Sequence, residues 1–176
     1  MSVVVRLIEG NIKRTKRALS RVARETDKAR QAAINRTLSW SRTRAERIIA
    51  SDAKVQKKVA ARRVRASKAR RGRRDAVLFI GYNPIGLSNL RPRQTRRGVT
   101  AGKHRRPGAF IAPVRGGRIE VFKRLGAARY PLIRQEIKIS GTARSSIARL
   151  LKVDSRPIFI KEFEHDRIRR IRRLGL

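Results

Sequence analysis

The order of pattern types along the chain predicts an α+β fold: long N-terminal basic helices, then a small antiparallel sheet of three to four strands, then C-terminal helices. Three observations carry this. Apolar and small residues step by three, four and seven from Ile12 to Ile49, short β-branched or alternating runs fill 76–139, and helical spacing returns after Ser140. The 176 residues allow one domain. It is expected to span 1–176, with a helical basic region at 11–70, a sheet region at 76–139 and C-terminal helices at 141–174.

Residues 3–8 (VVVRLI) fit a first strand or a helix lead-in, and Gly10-Asn11 punctuates the chain. From Ile12 onward, Leu19, Val22, Thr26, Ala29, Ala33, Leu38, Ala45, Ile48 and Ile49 define one helix face, with Lys and Arg opposite. Ser39 and Ser41 leave one long helix and two consecutive helices both open. Ser51-Asp52 can cap a further helix to about residue 70. AVLFIGY at 76–82 reads as a buried strand, and Asn83-Pro84 with Gly86 as a turn. Pro92, Gly98 and Gly102 predict a mobile, irregular loop over 91–106.

GAFIAPV (108–114) and RIEVFKR (118–124) then form strands about the connection RGG. A third strand places Ile133, Gln135, Ile137 and Ile139 on one face. Ser140-Gly141-Thr142 opens a helix carrying Ile147, Leu150 and Leu151. Pro157 interrupts, and a last helix runs through Ile160, Phe163, Ile168 and Ile171.

Charge dominates the composition: 48 Lys and Arg stand against 12 Asp and Glu, a net +36. Such a chain repels itself unless a polyanion or acidic partner compensates, so nucleic acid is the first partner to consider, with anionic lipid and acidic protein surfaces behind it. The absence of cysteine excludes disulfides, a zinc ribbon and thiol catalysis. No apolar run approaches the roughly 18 residues of a membrane span. MSVVVRLIEG lacks the charged start of a signal peptide, so the expected setting is intracellular or a virion.

The catalytic inventory is poor. His104 reads as a solvated histidine in the basic loop, and His165 sits in EFEHD beside Glu162, Glu164 and Asp166. On a helix only residues three or four apart share a face, so Glu162 pairs with Asp166 and His165 with Arg169, and the cluster splits. These acids are expected to balance the arginines of the last helix rather than to hold a metal. No phosphate-cradling glycine loop is present. The reading is therefore no enzyme, no metal and no cofactor.

The basic runs at 54–74, 91–106 and 167–173 are the functional candidates. Each phosphate they neutralise releases a counterion, which gives strong, salt-sensitive and sequence-independent binding. The residues singled out are Arg62, Arg63, Arg65, Lys68, Arg70, Arg71, Arg73, Arg74, Arg91, Arg93, Arg96, Arg97, Lys103, Arg105 and Arg106. Base recognition is not expected, because Tyr82 and Tyr130 stand singly and Trp40 reads as a helix-packing residue.

Several motifs in order complete the reading: AAINRT at 32–37, RRPGAFI at 105–111, the run Gly117-Arg118-Ile119-Glu120-Val121-Phe122-Lys123-Arg124, RYPL at 129–132 and KIS at 138–140. In these the chain resembles the minor tail protein Z family of lambda-like phages and prophages, departing in its first ten residues and its long final helix. The resemblance implies a structural tail completion protein at the head-proximal end of the tail, which prepares the tail for joining to the filled head. It implies a fold like that of tail-terminator proteins and a homo-oligomeric, six-fold ring. The implied partners are the tail terminator, the tape-measure protein, neck or connector proteins and the genomic DNA end, with no membrane. The setting would be the virion tail or neck, and the host cytoplasm during assembly. The alternative is a sequence-independent nucleic-acid-binding protein of ribosomal or nucleoid type.

Overall fold

In the computed structural model, residues 2–70 and 74–175 are described, with side chains from residue 11 onward. Helix α1 runs unbroken from Ser2 to Asp52, so VVVRLI is helical and one long helix replaces the two alternatives. Ser39 does not break it because its hydroxyl donates to the Asn35 carbonyl one turn back, at 3.0 Å. The expected apolar stripe is buried from its middle onward: Ala29, Ala33, Leu38, Ala45 and Ile49 are in the core, whereas Ile12 and Leu19 are exposed.

The anticipated helix to residue 70 is cut short. Helix α2 covers only Lys57–Ala61, and strand β1 (Val64–Ser67) follows, paired with β2 (Val77–Ile80). β2 is the expected AVLFIGY strand, but it is not buried: Val77 and Phe79 are exposed in this two-stranded ribbon.

Three further small antiparallel sheets replace the single expected one. β3 (Ile85–Gly86) leads into a 3-10 turn at Leu87–Leu90. The region expected to be a mobile loop, 91–106, instead holds β4 (Arg93–Thr95), β5 (Gly98–Ala101) and β6 (His104–Pro107) in one meander. Gly98 and Gly102 turn the chain between these strands rather than dissolving them, both at positive φ. β7 (Ala109–Val114) and β8 (Arg118–Arg124) form the expected hairpin, and β9 (Leu132–Arg134) pairs with β8.

The third predicted strand is split at Gln135. Beyond it β10 (Glu136–Ile137) leaves β8 and pairs with β3, matching Ile137 with Ile85. Ile133 is consequently exposed while Ile137 and Ile139 are buried. Helix α3 (Gly141–Arg149) is capped by Ser140, whose hydroxyl accepts from the Ala143 N–H at 3.0 Å. A π turn at Leu150–Asp154 makes the break expected at Pro157, which lies instead in the first turn of α4 (Ser155–Arg172), where its missing N–H costs nothing.

The chain divides into two compact units. The first gathers Met1–Trp40, Ser67–Val77 and Val153–Leu176; the second gathers Ser41–Ala66 and Leu78–Lys152. In the second, Ala53, Val59, Ile85, Leu87, Val99, Ala101, Ala109, Val121 and Ile137 form one apolar core. Gln94 fastens the β4–β6 meander to the edge of β7: its Oε1 accepts from the Ile111 N–H at 3.0 Å and its Nε2 donates to the Ala109 carbonyl at 3.3 Å. One side-chain amide thus supplies the pairing that a strand would.

Candidate nucleic-acid interface

Register decides which cations share a face of the β4–β6 meander. Arg93 lies opposite Thr100, and Thr100 opposite Arg105, so these three form one row across the sheet. The adjacent row, Gln94, Val99 and Arg106, belongs to the other face, as do Ala101 and His104, and there Val99 and Ala101 enter the core. Arg93 and Arg105 are both exposed and lie roughly 10 Å apart, two strand spacings. Arg96 and Arg97 occupy the β4–β5 turn and Lys103 the β5–β6 turn.

Among the described residues, none of the seven cations from Arg91 to Arg106 is in an ion pair. Seven of the chain's acids are ion-paired elsewhere, Glu136 with Arg134 among them. In the first unit, Glu25 holds Lys28 and Arg170, Asp27 holds Arg30, Glu162 holds Arg36, and Asp166 holds Arg169, Arg170 and Arg36. In the second, Glu46 holds Arg42 and Lys57, and Glu120 takes a two-pronged contact from Arg134, at 2.7 and 3.0 Å.

Asp166 is fully buried. Burial alone pushes its carboxyl up, but hydrogen bonds and charge from Arg170 and Arg169 outweigh that and hold it below its ordinary value. Of the acids of EFEHD, Asp166 therefore balances Arg169 and Arg170 of α4, whereas Glu162 pairs with Arg36 of α1. Among the described residues, no group of three or more His, Asp or Glu could hold a metal ion.

The remaining predicted residues separate. Arg62, Arg63 and Arg65 flank the start of β1; Arg62 and Arg65 are exposed, and Arg63 donates to the Pro84 carbonyl at 2.9 Å. In the first unit, Lys68 is exposed, while Arg70 and Arg74 line a cavity of about 230 Å³ with Asp27, Lys28, Arg30 and Gln31 of α1. Arg71 and Arg73 lie outside the described residues.

A groove of about 530 Å³ in the second unit brings distant cations together. Lys54, Lys58, Arg62, Arg91 and Lys103 line it, over a floor of Ala50, Val55, Val59 and Leu90, and no acid or aromatic side chain is in its wall. Lys54 and Lys58 were passed over as individual sites. They belonged to the apparent face of a further helix, and the left-handed turn at Lys54 with the short α2 places them in one groove with residues 89–103.

That end is a glycine-type cap without glycine. The Val55 N–H donates to the Ala50 carbonyl at 3.0 Å and the Lys54 N–H to the Ser51 carbonyl at 3.2 Å, with Lys54 at φ 50°. Arg91, after the 3-10 turn, has φ 53°. Among the described residues these are the two non-glycine positions at positive φ, and each costs about 1–2 kcal/mol that glycine would avoid.

His104 is half-buried rather than solvated. Its Nε2 lies 2.9 Å from the Ala53 carbonyl, which can only accept, so the proton is on Nε2. The bond ties the Lys103 turn to the end of α1.

A family model described as prophage minor tail protein Z matches residues 10–174, nearly the whole chain. The chain belongs to that family. It is thus a phage minor tail protein, a virion component with a structural place in the tail among other tail components. No curated protein and no solved structure matches it. Among the described residues of this minor tail protein, no helix is long and apolar enough to cross a membrane. The Gly98–Arg134 segment, with its unpaired cations and the β7–β9 hairpin sheet, holds most of the motifs that carried the resemblance.

Proposed function

We propose that this minor tail protein is a non-enzymatic tail completion protein, acting at the head-proximal end of the tail and holding the DNA end through the outer face of the β4–β6 meander. The observation that supports this reading is the row Arg93–Thr100–Arg105, flanked by Arg96, Arg97 and Lys103, with no ion pair among its cations. A surface of unpaired cations binds phosphates by counterion release and needs no base contacts, which suits a partner that is a DNA end of any sequence. The same reading makes the terminator, the tape-measure protein and the neck its neighbours, and a six-fold ring its working state.

The test is removal of the reading frame from its phage, with the lysate examined by electron microscopy and plated, followed by complementation with R93E/R105E. Full heads beside normal-length tails that fail to join, rescued by the parent chain but not by R93E/R105E, are the expected result. Normal infectious particles without the protein would overturn the reading and favour a free nucleic-acid-binding role. Rescue by R93E/R105E would remove the DNA contact from it.

A further inference from the structure

We infer that the groove between the end of α1, α2 and the turns at Asn89–Arg91 and Gly102–Lys103 docks an acidic segment of another protein that carries apolar side chains. The inference goes beyond the tail-joining reading and stands whether or not the β4–β6 face meets DNA.

Three observations converge on this occupant. The wall carries five cations and no acid, so a ligand seated there must be anionic. Between the cations the lining offers apolar side chains beside the polar Ser51, Gln56 and Asn89: Val55 and Leu90 pack against the core of the second unit, and Ala50 and Val59 stand with them. A phosphate backbone has nothing to place on such a floor, and the stacking aromatics that hold single-stranded bases are missing from the wall. An acidic peptide with apolar residues satisfies both surfaces. A second copy of this chain does not suit, because acids are few and Glu25, Asp27, Glu46, Glu120, Glu136, Glu162 and Asp166 are already ion-paired.

The backbone supplies the third observation. Lys54 and Arg91 both hold left-handed conformations that glycine would adopt more easily, and both line this groove. Each keeps a cation where the fold alone would favour none. His104 ties the Lys103 turn to Ala53 by its bond, so Lys54 and Lys103 are joined into one groove before any ligand arrives.

The experiment uses the full chain and three labelled probes: a peptide with Leu at i, i+3, i+4 spacing and Glu elsewhere, polyglutamate, and duplex DNA. Fluorescence anisotropy should show the Glu–Leu peptide binding more tightly than polyglutamate. The variant K54G/R91G puts glycine where glycine is favoured, so its melting temperature should not fall, yet its affinity for the peptide should drop about tenfold. K58S/R62S, at exposed positions of the groove, should weaken the peptide similarly and serves as the second variant if the first is unstable. R93E/R105E should leave peptide affinity within about twofold.

Equal binding of polyglutamate and the Glu–Leu peptide, or unchanged affinity in a folded groove variant, would overturn the inference. Displacement of the peptide by duplex DNA, with both groove variants losing DNA affinity, would make the groove a nucleic-acid site instead.

Discussion

Asn35 closes both backbone hydrogen bonds of Ala69: its Oδ1 accepts from the Ala69 N–H at 2.8 Å, and its Nδ2 donates to the Ala69 carbonyl at 3.0 Å. A helix side chain here does the work of a neighbouring strand, and Ala69 is buried beside it. Gln31, one turn earlier, adds a second donor to the same carbonyl at 3.1 Å. Asn35→Ala therefore strands the N–H, whereas the carbonyl keeps Gln31. Urea unfolding should show a loss of about 1–2 kcal/mol for Asn35→Ala and less than about 1 kcal/mol for Gln31→Ala. Equal losses would mean that the N–H is not the critical group.

Asp166 links α1 and α4 through Arg36, Arg169 and Arg170 while itself wholly buried. Asp166→Asn keeps the shape and removes the charge, leaving three cations facing one another. The expected cost is about 1–3 kcal/mol, read by the same unfolding curve. A loss no greater than that of an exposed acid such as Glu164→Gln would contradict this.

The same acids set an acid limit. Asp166 titrates below its ordinary value, as does Glu25, which is held down chiefly by its hydrogen bond to Lys28 and then by Arg170. A lowered folded pKa means that the stabilisation is complete above the unfolded value and drains away as pH falls through the folded one. Stability should be flat down to about pH 5 and fall below about pH 4, and the fall should be shallower in Asp166→Asn. Thermal melts across that range check both.

Gly98 has φ 142°, and a Cβ there would press on the Arg106 carbonyl oxygen and lie 2.9 Å from both the Gly108 nitrogen and Pro107 Cα. All three neighbours are backbone, so nothing can swing aside. Gly98→Ala should cost about 3 kcal/mol or more and disorder the meander that presents Arg93 and Arg105. Gly102→Ala is the control. It shares a positive φ but has open space around it, and it should cost about 1–2 kcal/mol.

Arg93 and Arg105 are exposed and unpaired, which makes them separable from stability. Arg93→Ala and Arg105→Ala should each reduce the slope of log affinity against log salt for duplex DNA by about 0.9. Arg36→Ala, which removes an ion-paired cation, should leave the slope unchanged. A slope that responds to Arg36 and not to Arg93 would move the DNA contact to the first unit.

The face of α1 and the β7–β8 hairpin were legible because their signals are local: the helical spacing from Ile12 to Ile49, and the apolar run GAFIAPV joined by RGG to RIEVFKR. The 91–106 meander was not, because Pro92, Gly98 and Gly102 are equally the marks of irregular loops and of tight turns between very short strands. Side chains that stand in for strands, as Gln94 does at β7 and Asn35 at Ala69, leave no periodic trace at all. The cationic residues of the candidate face were visible as a run, but register alone separates Arg93 and Arg105 from Arg106. The groove was invisible for a related reason. Lys54 becomes part of it only through a left-handed turn at a residue that is not glycine, where the sequence suggests a further helix capped at Ser51-Asp52.

Asp52 accepts from both the Ser140 N–H, at 2.9 Å, and the Ser140 hydroxyl, across 88 residues of chain. The β3–β10 pair spans a shorter but still long interval, whereas the β4–β6 and β7–β8 strands close within a few residues of one another. On a translating ribosome the local hairpins can therefore close first, and the end of α1 must wait for Ser140, 88 residues on. At 5–20 residues per second that wait is roughly 4–18 s. Through all of it the eleven lysines and arginines of 53–74 stand beside the most abundant polyanion in the cell, the RNA of the ribosome itself. Release of the finished chain should accordingly depend on salt, and on how quickly residues 136–140 emerge to complete the unit.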